Sequence, residues 1–181
     1  MRILSIDIGT KNPGLYIEEF DPEKITEETL YTHGKRVYWK RMNFTKNTSD
    51  VLVNVSLCLD KDRKIFDTCN GIIVEKQHKL NYRAQVIEHV IIGYFKALYG
   101  PFKYISNISA TLKTQLLGAP KKMDKPARKK WAVQEVHRLC DRCDDLQGLK
   151  ILYSGKPDDL ADARLQLKAF LKLVFILGKS P

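Results

Sequence analysis

The chain reads as an α/β protein, with one mixed sheet carrying helices on both faces. Two observations predict this. Three strand-like segments come first, and strands then alternate with helical segments. The first three can form an antiparallel meander, while the later ones arrive through helical crossovers and so can lie parallel to the first. At 181 residues the chain can bury one proper core and not two ordinary ones, so residues 1–181 are expected to form a single domain.

Residues 2–8 form an apolar run suited to a buried strand, and Gly9-Thr10-Lys11-Asn12-Pro13-Gly14 is the turn after it. Leu15 to Phe20 alternates apolar with polar or acidic residues, as a hairpin partner does, and the acidic segment to Thr29 reads as a loop. Lys35 to Met42 reads as an edge strand with charges that blunt the edge. Val51, Val55 and Leu59 recur at helical spacing. Gly71-Ile72-Ile73-Val74-Glu75 is a strand, Ala84 to Leu98 an apolar helix stopped by Gly100-Pro101, Phe102 to Ile108 a strand, and Ala110 to Leu117 a short helix. A basic, proline-punctuated loop over 118–130 leads into a helix from Ala127 to about Leu146. Lys150 to Tyr153 reads as a short strand, and Asp158 to Leu177 as the last helix, with Asp158 its N-cap after Pro157.

The formal net charge is +10 with a pI near 9.4, which predicts an anionic partner. Between Lys76 and Lys130 stand twelve basic residues against Glu88 and Asp124 alone, so this stretch supplies the whole excess. Concentration of this kind is the electrostatic footprint of a phosphate-backbone binder. No run of about 18 uncharged apolar residues is present, so no membrane span is expected. Met1 runs straight into a strand, which predicts no secretory leader and a reducing, intracellular setting for Cys58, Cys69, Cys140 and Cys143. Cys140-Asp141-Arg142-Cys143 has no second pair at finger spacing and reads as two helix-borne thiols rather than a zinc site.

Four acids stand out against this background. Asp7 lies within the first strand, Glu75 ends another, and Asp159 and Asp162 stand three apart at the start of the last helix. An acid in an apolar strand is costly to bury unless something positive offsets it, and acids at i and i+3 of a helix point the same way. Carboxylates suit Mg²⁺, a hard ion that keeps several waters. Two such ions about 3.5–4 Å apart stabilise both the attacking and the leaving oxygen of an in-line displacement. The pattern therefore points to phosphodiester cleavage. The turn Asp7-Ile8-Gly9-Thr10 also suits the phosphate loop of an actin-fold kinase, but that fold needs two lobes and 181 residues leave no space for them.

At these residues the chain resembles the RuvC-like Holliday junction resolvases, and in its compact length and basic loop the poxvirus resolvases. The resemblance rests on Ile6-Asp7-Ile8-Gly9-Thr10, on Ile72-Ile73-Val74-Glu75 before a long helix, on Leu112-Lys113-Thr114-Gln115-Leu116-Leu117-Gly118, and on Asp159-Leu160-Ala161-Asp162-Ala163. It implies an RNase H-like, five-stranded mixed sheet. Asp7, Glu75, Asp159 and Asp162 would be ligands to two Mg²⁺ ions, with Mn²⁺ as a substitute, and Lys113 would contact the scissile phosphate. It further implies a homodimer that nicks four-way junctions symmetrically, in recombination and concatemer resolution of a viral genome, within the cytoplasm of the infected cell. Neither a membrane nor a small-molecule cofactor enters that picture. For DNA contact the expected residues are Lys121, Lys122, Lys125, Arg128, Lys129 and Lys130, with Lys76, Lys79 and Arg83 nearer the active site. The 81–99 helix is apolar enough either to be fully buried or to form part of a dimer interface. Two other functions suit the same residues: a nuclease for RNA–DNA hybrid or other branched DNA, and a DNA-binding module without catalysis.

Overall fold

Alternation along the first strand sorts its residues between two cores. In β1 (Arg2–Asp7), Leu4 and Ile6 face one side of the sheet, while Ile3, Ser5 and Asp7 face the other. The same sorting runs through β2 (Gly14–Glu19), β4 (Gly71–Lys76) and β5 (Tyr104–Ser109), while in β3 (Lys35–Arg41) a register shift against β2 leaves Val37 and Tyr38 packed in the same core. These strands form one five-stranded sheet in the order β3-β2-β1-β4-β5. The β1–β2 and β2–β3 pairs are antiparallel, and β1–β4 and β4–β5 are parallel. The computed structural model describes residues 1–9, 11–45 and 50–180; Thr10, part of the opening motif, lies outside them.

On the Leu4 side lie α1 (Val51–Lys61), the one-turn α2 (Arg63–Phe66) and α3 (Tyr82–Tyr99). Asp50 caps α1 by accepting from the Leu52 and Val53 amides, and Asn81 caps α3 through Ala84. Ala84, Ile87, Ile91 and Phe95 bury one stripe of α3 in the core, while Val86, Val90 and Tyr94 are half-buried. The opposite side carries α4 (Leu112–Leu116), α5 (Lys125–Arg142), α6 (Leu146–Leu152) and α7 (Pro157–Leu171), which runs on into a π-helical turn over Lys172–Ile176.

Four assignments differ from expectation. Lys150–Leu152 of the expected strand belong to α6 and Tyr153 is its C-cap, because Asp145 caps the Gly148 amide and the turn that follows buries Gly148 and Leu152. The preceding helix starts earlier, at Lys125, since Asp124 caps it and Pro126 fits its first turn. It stops at Arg142, just before Asp144 adopts a left-handed φ of 50°. Asp158 is not an N-cap. Lys156 occupies that position without a side-chain cap, Pro157 follows it, and the buried Asp158 carboxylate is ion-paired instead.

Candidate active site

Asp7 and Glu75 share a sheet face because each continues the alternation of its strand, Ile3-Ser5-Asp7 on β1 and Ile73-Glu75 on β4. The parallel register pairs Ile6 with Val74, which sets the two acids side by side at the strand ends. The N-terminal turns of α7 lie across the same face. Gly14 makes that approach possible: a Cβ there would stand 2.0 Å from the Asp159 carbonyl oxygen. Trp39 Nε1 donates to the Leu160 carbonyl at 3.0 Å, and Gln166 Nε2 donates to the Ile6 carbonyl at 3.1 Å, so α7 is fastened to β3 and to β1.

These elements bring three of the four expected acids around one cation. Lys113 Nζ stands 2.8 Å from Asp162 Oδ1, 3.2 Å from Glu75 Oε1 and 3.6 Å from Asp7 Oδ1. Asp159 sits one turn earlier on α7 and pairs with Lys156 at 3.6 Å. Lys113 was expected to face a scissile phosphate; here it faces carboxylates. Burial raises the Asp7 carboxyl well above the usual carboxylate range, and Glu75 adds to the rise, with Lys113 opposing both. Burial alone would lower the Lys113 ammonium, but Asp7, Glu75 and Asp162 together raise it above an ordinary lysine. Burial, and then Asp158, raises Asp159. Asp158 is lowered even though burial acts the other way, because Lys129 donates to it.

Among the described residues no group of three or more His, Cys, Asp and Glu side chains is drawn together as a metal cage. The donor set nevertheless fits a hard divalent ion. It consists of carboxylate oxygens from three separate elements, each within 3.6 Å of a single positive centre, in a region where Asp7 is 7% exposed.

Some contributors to the site were not anticipated. Gln77 Nε2 donates to Glu75 Oε2 at 2.8 Å and orients that carboxylate. The buried Glu88 accepts from the Gln77 amide at 2.7 Å and from Asn107, tying the loop after β4 to α3 and β5. An acid on the buried stripe of an apolar helix, one residue from Ile87 and three from Ile91, was the available signal for Glu88. Asp158 carried no such signal.

A cavity of about 210 Å³ opens over Glu75, Lys113 and Asp162, and its far wall is Lys125, Arg128, Lys129 and Trp131. Of the other expected DNA contacts, Lys121 and Lys122 are exposed on the loop before α5, Lys130 is exposed on α5, and Lys76, Lys79 and Arg83 are exposed between β4 and the first turn of α3. Lys129 is half-buried and committed to Asp158. The four cysteines are free thiols, and Cys140 Sγ accepts from Arg164 Nη1 at 2.9 Å. No described helix is long and apolar enough to cross a membrane.

The fold recurs in known structures. The fowlpox virus resolvase in complex with Holliday junction DNA superposes with a TM-score of 0.66 at 24% identity, over 95% of this chain and 97% of that one. Thermus thermophilus RuvC in complex with a Holliday junction gives 0.60 at 14% identity, covering 98% and 96%. The yeast mitochondrial Holliday junction resolvase Ydc2 gives 0.54 at 16% identity, covering 94% and 78%. The fold is therefore the RNase H-like fold of the Holliday junction resolvases, as the resemblance implied. By sequence, the chain is 31% identical over 136 residues to the uncharacterized protein 97L of Invertebrate iridescent virus 3, a match that takes in 74% of this chain and 63% of that protein's length. It is 24% identical to the uncharacterized protein 170L of Invertebrate iridescent virus 6, across 98% of this chain and 91% of that one. No family model matches.

Proposed function

We propose that this chain is a structure-selective DNA endonuclease that resolves four-way junctions by paired, symmetric nicks. The observation that carries the reading is the meeting of Asp7, Glu75 and Asp162, from three elements, at Lys113, with Glu75, Lys113 and Asp162 forming the floor of a cavity walled by Lys125, Arg128 and Lys129. Carboxylates at the floor suit a divalent metal and cations on the wall suit a phosphodiester, so acid and base are divided as hydrolysis of DNA requires.

Asp7, Glu75 and Asp162, with Asp159 one turn away, would hold Mg²⁺ as a pair of ions. When bound, such ions stabilise charge on the attacking and leaving oxygens of an in-line displacement. The protein contributes positioning. The sheet fixes Asp7, Gln77 orients Glu75, and the α7 anchors place Asp162. Lys125 and Arg128 hold the flanking phosphates, and Lys113 is the cation nearest the scissile one. Lys130 extends the contact along α5, Lys121 and Lys122 extend it along the loop before α5, and Lys76, Lys79 and Arg83 extend it beyond β4. Two copies of the chain, acting as one 1–181 domain each, make the paired nicks. With viral relatives on both the sequence and the structure side, the setting is recombination and concatemer resolution of a viral genome in the infected cell's cytoplasm.

The test is cleavage of a labelled synthetic four-way junction beside linear duplex and RNA–DNA hybrid, with Mg²⁺, with EDTA, and with Asp7→Asn protein. Paired symmetric nicks in the junction, lost with EDTA or Asp7→Asn, are expected. Cutting of the hybrid alone would overturn the junction reading, and DNA binding without any cutting would overturn the nuclease reading.

A further inference from the structure

A second cation-lined cleft lies on the other flank of the carboxylates. It has a volume of about 270 Å³ and is bordered by Trp39, Lys40 and Arg41 of β3, by Ser154 and Gly155 of the α6–α7 turn, and by Lys156. Three cations and no acid line it. Two of these cations are already committed: Lys40 to Asp62 at 2.8 Å, and Lys156 to Asp158 and Asp159 at 3.6 Å each. Arg41 is not. It is exposed, and among the described residues no carboxylate lies within ion-pair distance of it.

Strand register places Arg41 relative to the chemistry. Asp7 pairs with Gly14 across β1–β2, and Gly14 pairs with Arg41 across β2–β3. The three residues form one row across the sheet, so Arg41 lies two strand spacings, about 10 Å, from Asp7. Its side chain is on the same face. Trp39, two residues earlier, donates to Leu160 of α7, and a Cβ built on Gly155 would meet Arg41 Nη2 at 3.0 Å. The cavity walled by Lys125 and Arg128 lies at the opposite end of that face, beyond β4.

The geometry points to Arg41 and its cleft as a second phosphate clamp, gripping the DNA backbone on the side of the carboxylates opposite α5. This rests on the nuclease reading above and extends it to a residue and a surface outside the basic 76–130 stretch. Two strand spacings and the reach of the arginine side chain put the clamped phosphate a few nucleotides at most from the one at the carboxylates. Arg41 is a positioning residue in this role. Its planar fork suits two phosphate oxygens, and it holds the substrate rather than touching the reacting atoms.

The test is the salt dependence of binding to a labelled four-way junction in EDTA, for native protein, Arg41→Gln and Arg41→Lys. Each phosphate contact contributes a slope of about 0.9 in log affinity against log salt. Arg41→Gln should lower the slope by about one contact, so that its affinity deficit shrinks about threefold between ~50 mM and ~200 mM salt. Arg41→Lys, which keeps the charge, should hold the native slope. Equal slopes for native protein and Arg41→Gln overturn the clamp and leave the nuclease reading standing. Binding without cleavage of any branched DNA in Mg²⁺ overturns the nuclease reading, while the slopes still decide the clamp. No binding by the native chain overturns both.

Discussion

Lys113 is the residue on which the site's charge balance turns. Three carboxylates within 3.6 Å of one ammonium, at a side-chain exposure of 12%, leave a net negative cluster that the chain cannot disperse by itself. Removing the cation leaves partly buried acids uncompensated, a loss on the order of 3 kcal/mol. Lys113→Gln should therefore unfold about 6–12 °C below native protein in EDTA. Added Mg²⁺ should restore more of the melting temperature in the variant than in native protein, because the ion then supplies the missing positive charge. Scanning calorimetry with and without Mg²⁺ checks this, and equal melting temperatures in EDTA would refute the neutralising role. The acids themselves were legible in the chain, since Asp7 and Glu75 interrupt apolar strands and Asp159 and Asp162 share a helix face. The contact of Lys113 with them was not. It depends on how far a side chain on α4 reaches toward β1, β4 and α7, which no local pattern encodes. Asp158 was misread for the same reason: a cap needs only its own helix, whereas an ion pair needs Lys129 from α5.

At the scale of elements, the site depends on how closely the start of α7 lies on the sheet. Gly14 is the contact point, and Gly14→Ala would drive a methyl into the Asp159 carbonyl. The helix must move away by roughly an ångström, which costs on the order of 1–3 kcal/mol of stability and about 100-fold in cleavage rate through misplaced acids. Single-turnover cleavage together with urea unfolding measures both, and a normal rate would show that α7 is not held by this contact. The link from β3 to α6 is electrostatic. Arg36 donates to Asp145 through Nη2 at 2.7 Å and Nε at 3.1 Å, and those bonds hold the Asp145 carboxyl below the ordinary aspartate value. A carboxylate depressed in the folded state contributes stability above its unfolded value of about 3.9 and loses it as pH falls through the lower folded value. Arg36→Gln should thus cost about 1–2 kcal/mol at pH 7, with the gap closing in the acid range below that unfolded value. A gap in urea unfolding that is unchanged by acid would remove Asp145 from the account. This pair also shows why α6 was read as a strand. Ile151 and Tyr153 are strand formers by composition, and the cap that turns the segment helical, Asp145, sits outside it and is positioned from β3.

For the whole molecule, α7 is the shared spine of site and core, and it is buried on nearly every side although its sequence is amphipathic. Arg164, Gln166 and Lys168 are buried at 3%, 2% and 0% exposure. Arg164 lies over the Trp39 and Tyr16 rings at 5.4 and 5.6 Å. Lys168 donates to Glu18 Oε1 at 2.5 Å, Tyr16 donates to the other Glu18 oxygen at 2.7 Å, and Gly34 closes over the carboxylate so tightly that a Cβ would stand 1.8 Å from it. Pattern reading places such polar residues on a solvent face, because the partners that let them be buried come from other elements, most of them strands 120 or more residues away. The alternation of the strands was legible, and it was enough to put Asp7 and Glu75 on one face; the polar interior of α7 was not legible. A buried ion pair stabilises little relative to a neutral pair of similar shape, whereas breaking it on one side strands a charge. Lys168→Met alone should cost about 3–5 kcal/mol. Lys168→Met combined with Glu18→Gln should recover most of that loss, since the Tyr16 hydroxyl keeps an acceptor and neither member of the Lys168–Glu18 pair is left as a lone charge. A double-mutant cycle by urea unfolding at pH 7 reads the coupling directly. If the double variant is as unstable as the sum of the singles, the charges are not coupled, and the shape of α7 rather than its ion pair holds the two strands beneath it.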